Sequence, residues 1–210
     1  MPENTGFQKG VNTKEKIEEA AMELFAEHGF KGTSVRKIAS LVGIRESALY
    51  NHFANKEAIF LAIASRVFAS PFAAQRSEEF LREYAKKGKP FLHKFMTEFK
   101  LMSFDKKHEK LFRFMLIELM QNDMLRSGFR QEFHDANVKT LSTGLFVMMQ
   151  EGLIRSEDPM TMANAFLGQL FYLRLQVSLL KADNQPTTSL STAFEKQLDL
   201  FWTSIASRNE

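Results

Sequence analysis

The sequence predicts an all-α protein, and three observations favour this class. Apolar residues recur at intervals of three and four along most of the 210 residues, which is the spacing of one helix face. No run of alternating β-branched residues requires a sheet. The 10 glycines and 5 prolines are few, and several of them separate the apolar segments. At about 150 residues per domain, this length allows one large domain or two small ones.

Four helices are predicted in the first third of the chain. The first carries apolar residues at i, i+3, i+4, i+7 and i+8, and Gly29 can end it. Thr33 and Ser34 can cap a short second helix, which ends at Gly43. A third short helix is predicted from Arg45 to His52, and a longer fourth helix follows it.

The rest of the chain predicts six further helical segments. Proline and glycine residues separate them, as expected where helices end. The segments are approximately residues 72–87, 90–104, 107–124, 129–151, 160–181 and 189–206.

The composition argues against several classes of function. The absence of cysteine excludes disulfides, cysteine nucleophiles and cysteine-bound zinc or iron–sulfur clusters. The pair Asp105 and His108 supplies too few ligands for a metal site, and the five histidines form no HExxH motif. The sequence also contains no Gly-rich phosphate loop and no GxSxG or Walker motif. We therefore expect no enzyme activity, no metal and no cofactor.

Neither a membrane segment nor a secretory signal is predicted. The longest uncharged stretch runs for 15 residues from Pro159 to Leu173, whereas a membrane-spanning helix needs about 20 apolar residues. The N-terminal residues contain no apolar signal region. We expect a cytoplasmic protein that does not bind membranes.

The strongest indication of function lies in residues 32–60. A short helix, a glycine-containing turn and a second short helix form the helix-turn-helix layout, whose second helix enters the major groove of DNA. Five cationic residues and one acid lie between Lys31 and Lys56, whereas residues 1–30 carry three lysines against six glutamates. Positive charge is thus concentrated where DNA would lie.

This stretch carries a recognisable run of residues, Leu49-Tyr50-x-His52-Phe53-x-x-Lys56-Glu57, after the step Ile38-Ala39-x-x-x-Gly43. The run resembles the TetR family of bacterial transcription regulators, and the motif covers about 50 residues of the chain. The resemblance implies an N-terminal three-helix DNA-binding domain over residues 1–56. It also implies a larger helical domain over residues 57–210 that binds an effector and dimerises, with about nine helices.

The resemblance also implies which residues meet DNA. Thr33 and Ser34 would turn backbone amides toward a phosphate, and Arg36 would reach a base edge or a phosphate. The first turn of the recognition helix would face bases, while later residues would hold the DNA backbone. The expected DNA-binding residues are Thr33, Ser34, Arg36, Lys37, Arg45, Glu46, Ser47, Tyr50, Asn51, His52 and Lys56.

Arg45 departs from the pattern of the family, in which serine is common at this position. The arginine gives up side-chain capping, worth about 1 kcal/mol, and adds a guanidinium suited to guanine or phosphate. Glu46 could accept from cytosine or simply favour the helix N-terminus. Two other interpretations stay open: Tyr50 and His52 could close the small core, and the cations of the second helix could be a solvated face.

The larger domain is rich in phenylalanine and methionine. Such residues at helical spacing are usually core, but the resemblance implies an effector pocket among them. The expected ligand-binding residues are Phe95, Phe99, Met102, Met115, Glu118, Phe133, His134, Asn137 and Met148. A mostly apolar pocket with few polar groups predicts a small hydrophobic or amphipathic effector.

Two C-terminal helices carry apolar stripes that predict a two-fold, four-helix dimer interface. The stripe residues are Phe166, Leu170, Leu173, Val177, Phe194, Leu198, Phe201, Trp202 and Ile205. The alternative is that these stripes pack only within one chain.

These patterns and the resemblance together predict a transcription regulator. The favoured interpretation is a ligand-responsive repressor that binds a palindromic operator in double-stranded DNA as a homodimer. One alternative is a helix-turn-helix protein that acts mainly through a protein partner. An α-helical enzyme is the least favoured alternative.

Overall fold

The computed structural model describes the backbone of residues 5–67 and 77–207, together with the side chains of residues 13–64, 77–131 and 133–207. The described residues are helical and contain no strand, which confirms the all-α class; Ile154 and Ala206 form an isolated antiparallel bridge. No helix in these ranges has the length and apolarity needed to cross a membrane.

Eleven α-helices and one π-helix lie within the described residues. They are α1 (Thr5–Gly32), α2 (Val35–Val42), α3 (Glu46–Leu49), α4 (Lys56–Val67), α5 (Glu78–Ala85), α6 (Lys89–Phe104), α7 (Lys106–Glu118), α8 (Asp123–Gly128), the π-helix (Phe129–Asp135), α9 (Ala136–Gln150), α10 (Pro159–Ala182) and α11 (Thr188–Ile205).

The predicted helices are found with several differences. The first helix continues past Gly29, which interrupts it with a non-helical conformation at φ 68° and ψ 170°. The segment predicted over 107–124 is two helices, α7 and α8, and the segment over 129–151 begins as the π-helix. Of the segment predicted over 72–87, residues 72–76 lie outside the described residues.

Contacts between Cα atoms divide the chain into two compact units. Among the described residues, the first unit comprises residues 5–67 and 110–127, and the second comprises 77–109 and 128–207. The boundary predicted between residues 56 and 57 therefore differs from the one observed. Helix α4 belongs to the first unit because its buried face packs on α1.

Aromatic rings form the core of the first unit. Phe25 of α1 stacks on Phe114 of α7 with the ring centroids 5.8 Å apart, and Phe60 of α4 meets the same ring edge-on at 5.1 Å. Phe30 closes the group, 4.9 Å from Phe60. Aromatic pairs in these geometries add about 0.5–1.5 kcal/mol each to their burial, so they hold α1 and α4 in a fixed arrangement.

The second unit packs α6, α9, α10 and α11 around buried phenylalanines. Phe166 of α10 lies 4.7 Å from Phe201 of α11 and 6.4 Å from Phe95 of α6, measured between ring centroids. The ring of Phe91 from α6 lies against Gly144 of α9, where an added Cβ would be 2.5 Å from it. A side chain at position 144 would therefore displace this ring.

One cation is buried in the second unit. Arg174 of α10 is 6% exposed, and this burial lowers the pKa of its guanidinium to about 10, against the opposing effect of the negative charge of Glu109. Ser178 donates to the Glu109 carboxylate at 3.0 Å, and Arg174 donates to the backbone oxygen of His108 at 3.3 Å. These contacts tie the start of α7 to α10.

The predicted dimer stripe is wrong, because its side chains fill the core of a single chain. Each of eight stripe residues is at most 6% exposed, and Trp202 is half-buried. The buried residues are Phe166, Leu170, Leu173, Val177, Phe194, Leu198, Phe201 and Ile205. Apolar residues with this period form one face of a helix. Here that face packs against other helices of the same chain.

Candidate nucleic-acid interface

Helix α2 and the turn after it are fixed by local capping. The Ser34 hydroxyl accepts from the backbone amide of Lys37 at 3.2 Å, which caps the N-terminus of α2. Gly43 adopts φ 77° at the other end, and the amides of Gly43 and Ile44 donate to the carbonyls of Ser40 and Ala39. This is a Schellman arrangement, and it sets the direction in which the chain enters α3.

The recognition helix lies where the sequence predicts it, but it is short. Only Glu46–Leu49 is α-helical, and i→i+3 hydrogen bonds from the amides of Asn51 and His52 extend it by another turn. Arg45 stands at the N-cap position without a side-chain capping hydrogen bond, as its replacement of serine implies. Leu49 is fully buried and anchors this turn on the core of the first unit.

Most of the predicted DNA-binding residues are exposed on one stretch of α2, α3 and the turns that flank α3. We call this the α2–α3 surface, and its exposed members are Ser34, Arg36, Lys37, Arg45, Glu46, Ser47, Tyr50 and Asn51. His52 is half-buried. Tyr50 is 48% exposed, so it does not close the core and its hydroxyl is available for a phosphate or a base.

Thr33 does not belong to this surface, which corrects the prediction. Its side chain is 2% exposed, and its hydroxyl donates to the backbone oxygens of Leu24 at 3.1 Å and Gly29 at 3.0 Å. The buried threonine side chain therefore stabilises the link between α1 and α2 through these two hydrogen bonds. Only Ser34 of the predicted pair is the helix cap.

Lys56 also has a different place from the predicted phosphate contact. Its ammonium donates to the backbone oxygens of Phe30 and Thr33, each at 2.8 Å, and lies 4.1 Å from the centroid of the Phe30 ring. Two of its three N–H groups are thus directed at the link between α1 and α2. The geometry gives Lys56 a role in holding this link.

Glu118, predicted as an effector contact, completes the same arrangement within the chain. Because Gly29 breaks the helix, the amide of Phe30 turns away from α1, and it donates to Glu118 Oε1 at 2.6 Å. The Glu118 side chain is 7% exposed. Residues 30 and 118 are far apart in the chain, so no spacing in the sequence could reveal this contact.

The other predicted ligand-binding residues are mostly core. Five of them are at most 3% exposed, namely Phe95, Phe99, Met115, Asn137 and Met148, and Met102 is half-buried. The Asn137 amide is used within the chain, donating to the backbone oxygen of Phe133 at 2.6 Å. Two members of the predicted set, Phe133 and His134, line a cavity in the second unit, between the π-helix and α10.

Comparison with known proteins agrees with this geometry. The family model for bacterial regulatory proteins of the tetR family matches residues 17–63, which include α2 and α3. The transcriptional repressor AcnR of Corynebacterium efficiens is 41% identical over 75 residues, which are 36% of this chain and 39% of that protein. The class D tetracycline repressor of Escherichia coli is 36% identical over 78 residues, 34% of this chain and 36% of that protein. The matched region thus spans less than half of each relative.

Solved structures extend the likeness of fold to nearly the whole chain. The TetR-family regulator PfmR of Thermus thermophilus has a TM-score of 0.66 at 22% identity, covering 93% of this chain and 97% of that one. A complex of SmeT with triclosan has a TM-score of 0.65 at 19% identity, covering 94% and 93%. At these identities the likeness concerns the fold alone.

Proposed function

The chain belongs to the TetR family of bacterial regulatory proteins, and we propose that it is a ligand-responsive transcriptional repressor rather than an enzyme. In this proposal a homodimer binds a palindromic operator in the cytoplasm and releases it when a small molecule binds. The exposed α2–α3 surface is the observation that carries the proposal. Its cations stand on two short helices, the first of them capped at both ends, of the size that fits a major groove.

In this proposal, some charged residues of the α2–α3 surface contact base edges and others contact phosphates. Arg45 and Glu46 begin α3, where side chains of a recognition helix meet base edges. An arginine there can give two hydrogen bonds to one guanine. Arg36 and Lys37 lie on the exposed face of α2, where they can reach bases or phosphates.

A palindromic operator needs two copies of the α2–α3 surface, so the proposal includes a two-fold dimer. With the predicted stripe buried, the opposite faces of α10 and α11 supply the candidate surface. Tyr172 and Leu179 of α10 are 58% and 57% exposed, and Leu200 of α11 is 62% exposed. If these residues meet a second copy, Leu179→Glu gives a monomer in light scattering while its helical circular dichroism is unchanged.

The DNA proposal is tested by titrating the full chain against the intergenic DNA upstream of its own gene, with random DNA as the reference. Binding is measured by fluorescence anisotropy at two salt concentrations. We expect tight, salt-sensitive and specific binding. Each lost base contact in Arg45→Ala or Arg36→Ala should cost about 1–3 kcal/mol on the operator and less on random DNA.

The matched control is Arg82→Ala. This variant removes the same charge from an exposed arginine of α5, which pairs with Glu78 in the second unit. Its operator affinity should equal that of the unaltered protein. Equal weak binding of the unaltered protein to upstream and random DNA, together with binding sites scattered over the genome, would instead favour a protein that acts through a protein partner.

A further inference from the structure

The second unit contains a cavity of about 170 Å³ between the π-helix Phe129–Asp135 and α10. Three phenylalanine rings line it, from Phe129, Phe133 and Phe171. His134 and Asn164 supply the polar part of its wall, and the cavity opens partly to solvent. For comparison, an engineered apolar cavity of about 150 Å³ is large enough to bind benzene.

The three rings form a preset aromatic wall. Phe129 and Phe133 stack with their centroids 5.3 Å apart, and Phe171 meets Phe129 edge-on at 5.9 Å. Phe133 and Phe171 lie 6.3 Å apart at an interplanar angle of 60°. The cavity wall therefore offers both ring faces and ring edges. An aromatic ligand could pack on it in the offset and edge-to-face geometries that aromatic rings prefer.

Two features of the backbone shape the cavity. Gly168 lines it from α10, and a Cβ added at this glycine would have no heavy atom within 4 Å. On the other side, the π-helix contributes both Phe133 and His134 to the wall, although they are neighbours in the chain. Short π-helical turns of this kind occur frequently at functional sites.

The polar part of the wall offers a hydrogen-bond donor. Asn164 donates through its amide nitrogen to the backbone oxygen of Met160 at 2.9 Å, so its oxygen is the atom that faces His134. His134 Nε2 lies 3.1 Å from that oxygen and therefore carries a hydrogen. A ligand oxygen at the mouth could accept from this N–H in place of Asn164.

Charge near the mouth restricts the ligand further. The carboxylate of Asp135 lies 2.9 Å from the other ring nitrogen of His134. This carboxylate already balances the charge of an imidazole ring whose two nitrogens both donate. A neutral hydroxyl therefore needs no further counter-charge, whereas an anionic group on the ligand would add an unbalanced negative charge.

We propose that this cavity binds an uncharged compound with a single aromatic ring and a hydroxyl group, of the alkylphenol class, and that this compound is the effector. The ring lies among the three phenylalanines, and the hydroxyl oxygen accepts from His134 Nε2. The role as effector rests on the function proposed above, whereas the binding itself does not depend on it.

The binding test is calorimetric titration of the full chain with 4-ethylphenol, ethylbenzene and 4-ethylcyclohexanol. We expect 4-ethylphenol to bind with a dissociation constant of about 0.1 mM, which is ordinary for a ligand this small. Ethylbenzene, which lacks the hydroxyl, and 4-ethylcyclohexanol, which lacks the aromatic ring, should bind at least about fivefold more weakly. Equal affinity for all three compounds, or no binding of any, overturns the proposal.

Two variants locate the binding. Gly168→Leu fills the cavity and should weaken 4-ethylphenol binding at least about tenfold. Ala165→Leu is its matched control, because Ala165 is an exposed residue of the same helix that does not line this cavity. His134→Phe should make 4-ethylphenol and ethylbenzene bind alike. Unchanged phenol binding in Gly168→Leu, with the same helicity and oligomeric state as Ala165→Leu, places the ligand elsewhere and overturns the proposal.

The same preparations are titrated with operator DNA in the presence and absence of 4-ethylphenol. The compound should weaken DNA binding by the unaltered protein and leave that of Gly168→Leu unchanged. DNA binding that 4-ethylphenol does not alter overturns its role as the effector and leaves the regulator proposal standing. Phenol binding by a chain that binds no DNA overturns the regulator proposal and leaves the cavity assignment standing.

Discussion

Replacing Lys56 by methionine separates a lysine that grips DNA from one that holds the helix-turn-helix in place. Methionine keeps much of the apolar stem and removes the ammonium, which donates at 2.8 Å to the backbone oxygens of Phe30 and Thr33. A hydrogen bond from a charged group contributes about 1.5–3 kcal/mol. The Lys56 side chain is half-buried, so the lower end applies to each of its two hydrogen bonds. Together they lead us to expect a fall of about 2–3 kcal/mol in the free energy of unfolding.

The decisive measurement is the salt dependence of operator binding. If Lys56 contacts a phosphate in each subunit, its loss makes the slope of log K against log salt shallower by about 0.9 per contact, or about 1.8 for a dimer. If it holds the link between α1 and α2, the affinity falls and the slope stays the same. Fluorescence anisotropy at five salt concentrations gives the slope, and urea unfolding gives the stability.

Lys37→Met is the matched control for this test. Lys37 is exposed on α2, and its ammonium donates a long hydrogen bond of 3.3 Å to the backbone oxygen of Gly32. This variant should change the slope and leave the free energy of unfolding nearly unaltered. A shallower slope for Lys56→Met, together with unchanged stability, would refute the positioning role and restore the phosphate contact.

Three further substitutions test the packing. Glu118→Leu removes the acceptor of a buried backbone amide and should lower the free energy of unfolding by about 1–3 kcal/mol in urea and weaken operator binding. Gly144→Ala should lower the melting temperature although alanine favours helices, because its Cβ would overlap the ring of Phe91 and overpacking costs about 1–3 kcal/mol. Arg174→Met should cost about 3 kcal/mol by leaving Glu109 buried without its counter-charge, and the double variant with Glu109→Met should recover part of this loss in urea unfolding.

The sequence predicts the parts of the fold that are determined locally. Ser34 and Gly43 bound α2 as expected, because a capping hydroxyl and a left-handed glycine act within a few residues of their own positions. The exposed cations follow from the same short helices, since the buried positions of a helix determine which other positions face solvent. The all-α class follows from the spacing of apolar residues.

Contacts between distant residues account for the predictions that were wrong. The stripe on α10 has the same period whether it faces another subunit or its own core, so its pattern cannot separate the two. Glu118 has the polarity expected of a ligand anchor, yet its partner is a backbone amide freed by the break at Gly29. The π-helix contributes two residues to the cavity wall, and the spacing of apolar residues does not distinguish that helix from an α-helix.

The positions that match the family motif are mostly those that build the helix-turn-helix. Ile38, Ala39, Leu49 and Phe53 are buried, and Lys56 is bonded within the chain. By contrast, the exposed residues proposed to meet base edges lie outside the matched positions, namely Arg36, Arg45, Glu46 and Ser47. A match to the motif therefore predicts how this domain presents α3, while the operator sequence depends on side chains that the motif leaves free. It follows that the operator has to be determined with this chain and cannot be transferred from its relatives.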